Sequence, residues 1–547
     1  MSVQHEANNA QRGQREPDVD AVIVGAGFSG LYMLYRAREV LGIRVRVFEA
    51  GGGVGGTWYW NRYPGARCDS ESIYYCYTFS PEIQQEWDWS SKYPGQPEIL
   101  RYLDFVADRL DLRKDIQFNT RVTNAVFDEA HDLWEVTTEA GESVTARFLI
   151  SAVGCLSSTN TPDLNGLDRF EGRCVHTGQW PVDGVDFTGQ RVGMIGTGST
   201  GIQATPVISA EADHLTIFQR TANFSIPARN APLSPERLAQ VKSEYPSIVE
   251  TLRASNAGFP YEMSMRSALE DSEEQRNAVY EKLWKEGGFA FFWGSYFDVV
   301  VDEKANDTAA DFIRQKIRET VKDPEVAEML IPRGYPFGTK RPPIDTDYFE
   351  SFNRDNVTLV DLKKDPLVEI TPKGLRTEGG EFEFDILVLA TGFDAMTGSL
   401  LRMGIQGVGG RSLEEKWEEG PKTYLGLQTA GFPNLFIITG PGSPSVLVNM
   451  PTAIEQHVEW ISDCIEYMRA RDYRRIEATV DAEERWVDEV NEAASMTLFL
   501  KADSWYVGAN IPGKKRVFMP YPGGNIEYKR FCDESVEAGY AGFDLQG

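Results

Sequence analysis

Histidine is scarce in this sequence, with five in 547 residues, and cysteine is nearly as rare, with six. The cysteines stand scattered at 68, 76, 155, 174, 464 and 532, and no Cys–His group has metal-ligand spacing. Neither a disulfide framework nor a zinc site is expected; reduced thiols in a reducing compartment are. Basic residues are also short, 55 Lys and Arg against 82 Asp and Glu, for a net charge of −27. That field repels phosphates and anionic membranes, which argues against nucleic acid and membrane partners. A small neutral molecule is the expected partner, and nothing in the sequence indicates a protein one. No apolar run approaches the roughly 18 residues of a membrane span, and the polar opening MSVQHEANNAQRGQREPDVD lacks the apolar centre of a signal peptide. Residues 1–18 are expected to be a disordered start to a cytoplasmic protein.

Glycine, by contrast, is placed with a pattern. The length exceeds what one hydrophobic core supports, so two or more domains are expected. In DAVIVGAGFSGLYMLYRAREVLGIRVRVFEA an apolar strand feeds Gly25, Gly27 and Gly30, a helix follows, and a second strand ends at Glu49. In such a βαβ unit the first glycine permits the tight turn, the second admits a pyrophosphate, and the third allows close helix–strand packing. Glu49 is positioned to accept from ribose hydroxyls.

The pattern recurs in RVGMIGTGSTGIQATPVISAEADHLTIFQRT, with Gly196, Gly198 and Gly201. Here the second strand runs out into Arg220 and Thr221 where the first unit has its acid. A guanidinium fork suits a 2′-phosphate, so this unit is expected to take NADPH and the acid-ended one FAD. The spacing predicts an α/β fold of two Rossmann-like dinucleotide-binding domains with a helical insertion. FDILVLATGFD, 384–394, reads as a buried strand that could close a nucleotide domain. The expected FAD domain covers 19–155 and 385–547, and the NADP domain 156–230 and 332–384. The insertion, 231–331, opens on Ser234-Pro235 as N-cap and first helical residue, and repeats Ile313, Ile317 and Val321 at helical spacing.

Between the two turns lies FEGRCVHTGQWP, which holds Phe170, Gly172, His176, Trp180 and Pro181. Together with GGTWYWNRYPGARCD (55–69), PFGTKRP, GPGSPS and SWYVGANIPGK, it resembles the type I Baeyer–Villiger monooxygenases, closest to their phenylacetone and steroid monooxygenase branch. The likeness runs from about residue 20 to the C-terminus. It implies an NADPH-dependent flavoenzyme that uses FAD and O2 to convert a ketone into an ester or lactone. The resemblance sets His176 where the two nucleotide domains join. From the residues alone, a hydrogen-bonded structural histidine is favoured over a general base, because no nearby carboxylate pattern proposes a relay.

Hydride from NADPH must reach FAD, whose reduced form captures oxygen as a C4a-peroxide that has to stay anionic to attack a carbonyl. A fixed cation beside it would stabilise that charge. Arg341 matches the family's active-site arginine, and Asp69 the carboxylate that pairs with it. Lys340 matches the lysine that joins Arg220 on the 2′-phosphate. The resemblance further implies FAD contacts at Ser29, Gly56, Thr57, Trp58, Tyr75, Val122 and Met450. It implies cofactor contacts at Arg67, Thr197, Gly198, Ser199, Thr200, Gln203, Thr221 and Trp505. The loop GPGSPSVLVNM, with Ser445, Val446 and Leu447, resembles the phenylacetone and steroid branch and favours aryl, bulky cyclic or longer-chain ketones, with thioether sulfoxidation as a side activity. Two other readings compete with this one. A disulfide reductase needs a CxxC or CxxxxC pair, which Cys68 and Cys76 do not form. A redox-sensing flavoprotein without catalysis has no marked docking face.

Overall fold

In the computed structural model, which describes residues 15–547, each glycine turn belongs to its own sheet. The first contains β1 (Val19–Val24), β2 (Val45–Phe48), β3 (Ile116–Gln117), β4 (Val122–Asp128), β5 (Leu133–Thr138) and β6 (Ser143–Ser151). The second contains β7 (Arg173–His176), β8 (Arg191–Ile195), β9 (His214–Gln219), β10 (Val357–Asp361) and β11 (Ile386–Leu389). Two late strands, β12 (Ile405–Gln406) and β13 (Leu435–Ile437), return to the first sheet, whose order is β12-β4-β5-β6-β1-β2-β3 with β13 beside β6. The second sheet runs β10-β9-β8-β11-β7 and is parallel throughout.

Parallel strands covered on both faces need continuous apolar runs, and this is what β1 and β8 supply. Ala21, Val22 and Ile23 are fully buried, as are Val192 and Met194. The register sets Ile23 against Val47 and Met194 against Ile217, which brings both turns to the carboxyl ends of their strands, where nucleotides bind in such sheets. Helix α1 (Phe28–Tyr35) leaves the first turn and α2 (Ser199–Glu211) the second.

Two expectations need correcting, and a third is trimmed at its edge. A boundary between 384 and 385 would assign Ile386–Leu389 to the FAD part, yet β11 pairs with β7 and β8 in the middle of the second sheet. An apolar run is compatible with either sheet, and only long-range pairing decides. The insertion is also not one unit. Its first helix, α3 (Pro235–Arg253), is capped by Ser234 as expected, but Val241 and Tyr245 pack into the core of the first sheet. The later helical residues, including Tyr280, Phe291, Ile313 and Ile317, join the core of the second. The expected disordered start lies mostly outside the described residues, and its last member, Asp18, is tied down. Its carboxylate accepts from the Thr145 backbone N–H at 2.9 Å. Among the described residues no helix is long and apolar enough to cross a membrane.

A late helix, α4 (Met450–Arg469), packs along α1, where Arg36 pairs with Asp463 at 3.0 Å. Glu455 on its buried face accepts from the Thr78 backbone N–H at 2.5 Å and lies 3.6 Å from Arg253 at the end of α3. Burial pushes its carboxyl up from 4.5 to about 7. The folded protein therefore holds this proton more tightly than the unfolded chain, and the stability it confers is lost as pH rises between those values. Wild-type Tm is expected to fall relative to Glu455→Gln as pH rises from about 4.5 to about 7. A Tm difference independent of pH would refute this.

Candidate active site

The two glycine turns are built alike. Gly25 has φ +106°, and a Cβ there would lie 2.5 Å from the Ala152 carbonyl oxygen; at Gly196 the values are +114° and 2.4 Å from that of Ala390. A Cβ on Gly30 would stand 1.8 Å from the Gly25 oxygen, and one on Gly201 2.2 Å from that of Gly196. Each helix can approach its strand this closely only because the side chain is missing. Neither α1 nor α2 has a side-chain cap or an acid in its first turn, so both present their free amides to an anion.

At the first turn a cavity of about 380 Å³ opens. Gly25, Gly27, Ser29, Glu49, Gly56, Thr57, Trp58, Arg67, Asp69, Tyr75, Val122, Arg341, Val446, Met450 and Trp505 all line it, whereas Gly30 sits behind as packing. Glu49 is buried, and its two oxygens accept from the backbone N–H groups of Ala26 and Gly51, each at 2.7 Å. It thus braces the turn, and burial raises its pKa. Trp58 donates its indole N–H to the Tyr75 hydroxyl at 3.1 Å. Sequence reasoning missed Arg121, Cys155, Gln179 and Arg402, which also line the cavity. They come from four separate connections, and no local spacing marks them.

Arg341 is held from three directions. Its Nε donates to Asp69 Oδ2 at 3.2 Å, its Nη1 donates to the Val446 carbonyl at 2.8 Å, and its guanidinium lies 4.8 Å from the Phe289 ring centre. Burial raises the Asp69 pKa, against the pull of the adjacent guanidinium. The second Asp69 oxygen is buried and has no hydrogen-bond partner among the described residues. An acceptor in that state beside an open glycine cradle fits a large polar ring carrying N–H donors, as an isoalloxazine does. A smaller cavity of about 10 Å³ shares Arg341 and Val446 with the first and is walled by Phe289, Phe292, Trp293, Leu447, Phe499 and Tyr506. Ser445 is buried with φ +42° and directs its hydroxyl at Met396.

The remaining expected residues lie elsewhere. Thr197, Gly198, Ser199 and Thr200 form the second turn and the start of α2, and the Thr197 hydroxyl donates to the Thr221 carbonyl at 3.0 Å. Arg220 is exposed; burial and this neighbouring cation lower the Lys340 pKa. Gln203 bonds instead to the segment 63–67. His176 ends β7, accepts from the Gly178 N–H through Nδ1 at 3.0 Å, and reaches Asn160 O and Thr391 Oγ1 through Nε2. Both partners lie on connections between the sheets. Burial lowers its pKa, and Nε2 carries the proton that the neutral ring donates. Gly172 cannot hold a Cβ, which would come 2.6 Å from both the Asp385 carbonyl oxygen and the Phe170 ring. Trp180 is buried beside Phe187, and Pro181 follows it.

The flavin-binding monooxygenase-like family model matches residues 19–231. A Baeyer–Villiger monooxygenase of Pseudooceanicola batsensis is 46% identical over 525 residues, covering 96% of this chain and 95% of its own. A cyclohexanone 1,2-monooxygenase of an Acinetobacter species is 45% identical over 531 residues, covering 97% of each. Among solved structures, an oxidised steroid monooxygenase bound to NADP superposes with a TM-score of 0.92 at 53% identity, covering 96% of this chain and 99% of that one.

Proposed function

Because this chain belongs to the Baeyer–Villiger monooxygenases, an NADPH-dependent flavoenzyme family that uses FAD, we propose that Arg341 and Asp69 are its working pair and that it oxidises aryl, bulky cyclic or longer-chain ketones. The reaction balances as ketone, O2, NADPH and a proton giving ester or lactone, NADP⁺ and water. FAD, when bound, takes the hydride from NADPH and activates O2 for insertion beside the carbonyl.

The chain's own part is to hold charge and exclude water. The observation that carries this reading is the three-way anchoring of the Arg341 guanidinium between the large cavity and the small aromatic one. A cation fixed before the reaction stabilises negative charge on oxygen with no cost of reorganisation. Asp69 orients it, Glu49 accepts from ribose, and the amides of α1 and α2 meet the two pyrophosphates. Arg220 and Lys340 take the 2′-phosphate, and His176 serves the joint between the sheets. The domains divide as β1–β6 with β12 and β13 for FAD, and β7–β11 for NADP.

The aromatic lining of Phe289, Phe292, Trp293 and Phe499 favours an apolar ketone or, for sulfoxidation, a thioether, and at about 10 Å³ the pocket must widen to take either. Cyclic ketones fit as well, in line with the cyclohexanone and steroid monooxygenases that this chain resembles. Six free cysteines support a cytoplasmic setting. A ketone panel followed by NADPH consumption and product mass tests the reading. Products one oxygen heavier support it, and NADPH oxidation yielding only hydrogen peroxide with every ketone would overturn it. Arg220→Ala is expected to raise KM for NADPH about tenfold or more, with KM for NADH unchanged, as loss of a charged hydrogen bond would. Equal effects on both nucleotides would remove Arg220 from the 2′-phosphate site.

A further inference from the structure

Gln203 sits one turn into α2, yet its side chain leaves the second sheet unit. Its amide oxygen accepts from the Tyr63 hydroxyl at 2.7 Å and from the Arg67 backbone N–H at 3.4 Å, while its amide nitrogen donates to the Arg67 carbonyl at 3.0 Å. One side chain therefore satisfies both backbone polar groups of Arg67, which fixes that peptide segment as a strand neighbour would. The backbone also lies flat on the helix: a Cβ on Gly65, at φ +79°, would come 2.2 Å from the Gln203 carbonyl oxygen. Two residues past Arg67 stands Asp69, in contact with Arg341. The path from the second glycine turn to the guanidinium thus runs through α2, one amide and three residues of chain, with no loose loop in it.

We propose that Gln203 is a positioning residue for the oxygenation: it ties α2 to the Arg67–Asp69 segment, so that the set of the second glycine turn fixes where Asp69 holds Arg341. This rests on the role given to Arg341 above, and it replaces the direct nucleotide contact that the family resemblance implies for Gln203. Both acceptor sites of the amide oxygen and one of the two N–H donors are already engaged within the chain, which leaves a single donor for any ligand.

The test uses the FAD-loaded enzyme with Gln203→Met, which keeps length but loses all three hydrogen bonds, and Tyr63→Phe, which loses one and keeps the ring. NADPH Kd, flavin content, Tm, the flavin absorption change on adding NADP⁺ and ester formed per NADPH are measured together. Gln203→Met is expected to leave NADPH Kd within about twofold, abolish the NADP⁺-induced spectral change and lower ester formation about tenfold, with a smaller loss for Tyr63→Phe. In an Asp69→Ala background Gln203→Met should change ester formation by less than about twofold, because residues acting in series do not add. A tenfold weaker NADPH Kd with the ester yield per NADPH intact would make Gln203 a nucleotide contact and overturn the proposal. Multiplying effects in the Asp69→Ala background, or equal loss of flavin and Tm in both variants, would overturn it too. A wild-type enzyme that forms no ester from any ketone would instead strike the assigned reaction.

Discussion

Alanine at position 341 is expected to leave a yellow, flavin-loaded protein that forms ester about 10²–10³-fold more slowly, the effect of losing one oxyanion-type donor worth about 2.7–4 kcal/mol. The size of the effect follows from how the side chain is held. Asp69, the Val446 carbonyl and the Phe289 ring fix the guanidinium, so its charge is in place before any oxygen chemistry begins. Water entering the vacated space would have to reorient for each turnover. NADPH oxidation should continue without matching ester, with the difference appearing as hydrogen peroxide. Arg341→Lys keeps the charge but not the fork that reaches Asp69 and Val446 at once, and should fall between wild type and alanine. The alanine variant also strands a buried carboxylate, which costs roughly 3–5 kcal/mol of stability, so rates should be compared well below its Tm. Ester formation at the parental rate would remove Arg341 from the mechanism.

Gly30→Ala is expected to yield a protein with little or no bound flavin. The added methyl would occupy a point 1.8 Å from the Gly25 carbonyl oxygen, a backbone atom that cannot turn aside as a side chain can. Overpacking a core costs about 1–3 kcal/mol where neighbours can shift, and more is expected here because α1 must move off β1. That movement spreads the amides meant for the pyrophosphate. Gly201→Ala is the matched control, since its methyl would meet the Gly196 oxygen at 2.2 Å in the other turn. It should weaken NADPH binding and leave the flavin in place. Visible absorbance per protein separates the two, and a Gly30→Ala enzyme with full flavin content would show the turn to be more yielding than its geometry implies.

Both glycine turns were legible because each is a local device: strand, turn and helix lie within some thirty residues, and the chemistry of the turn dictates the residue type. Glu49 could be found at the end of its strand for the same reason. What stayed hidden depends on distance along the chain. β11 reads as an apolar strand of either sheet, and only its pairing with Arg173–His176 and Val192–Ile195 assigns it. Helix α3 and the later helices of the insertion have similar compositions but bury their faces in different cores. The engagement of Gln203 with Tyr63 and Arg67 spans 136 residues or more and has no sequence period to announce it. Arg341 was reached through a family likeness; a bare Lys-Arg-Pro would have read as a solvated loop.

The split of the insertion bears on selectivity. Phe292 and Trp293 pack with the core of the second sheet, while Val446 and Leu447 immediately precede α4, which is rooted in the core of the first. On the proposed assignment, the walls of the ketone chamber are therefore carried by different cores, like the jaws of a caliper. Its aperture would then follow the set of those cores as well as the bulk of the side chains that line it. A substitution at the pivot, far from any substrate atom, can then widen or narrow the range of ketones accepted.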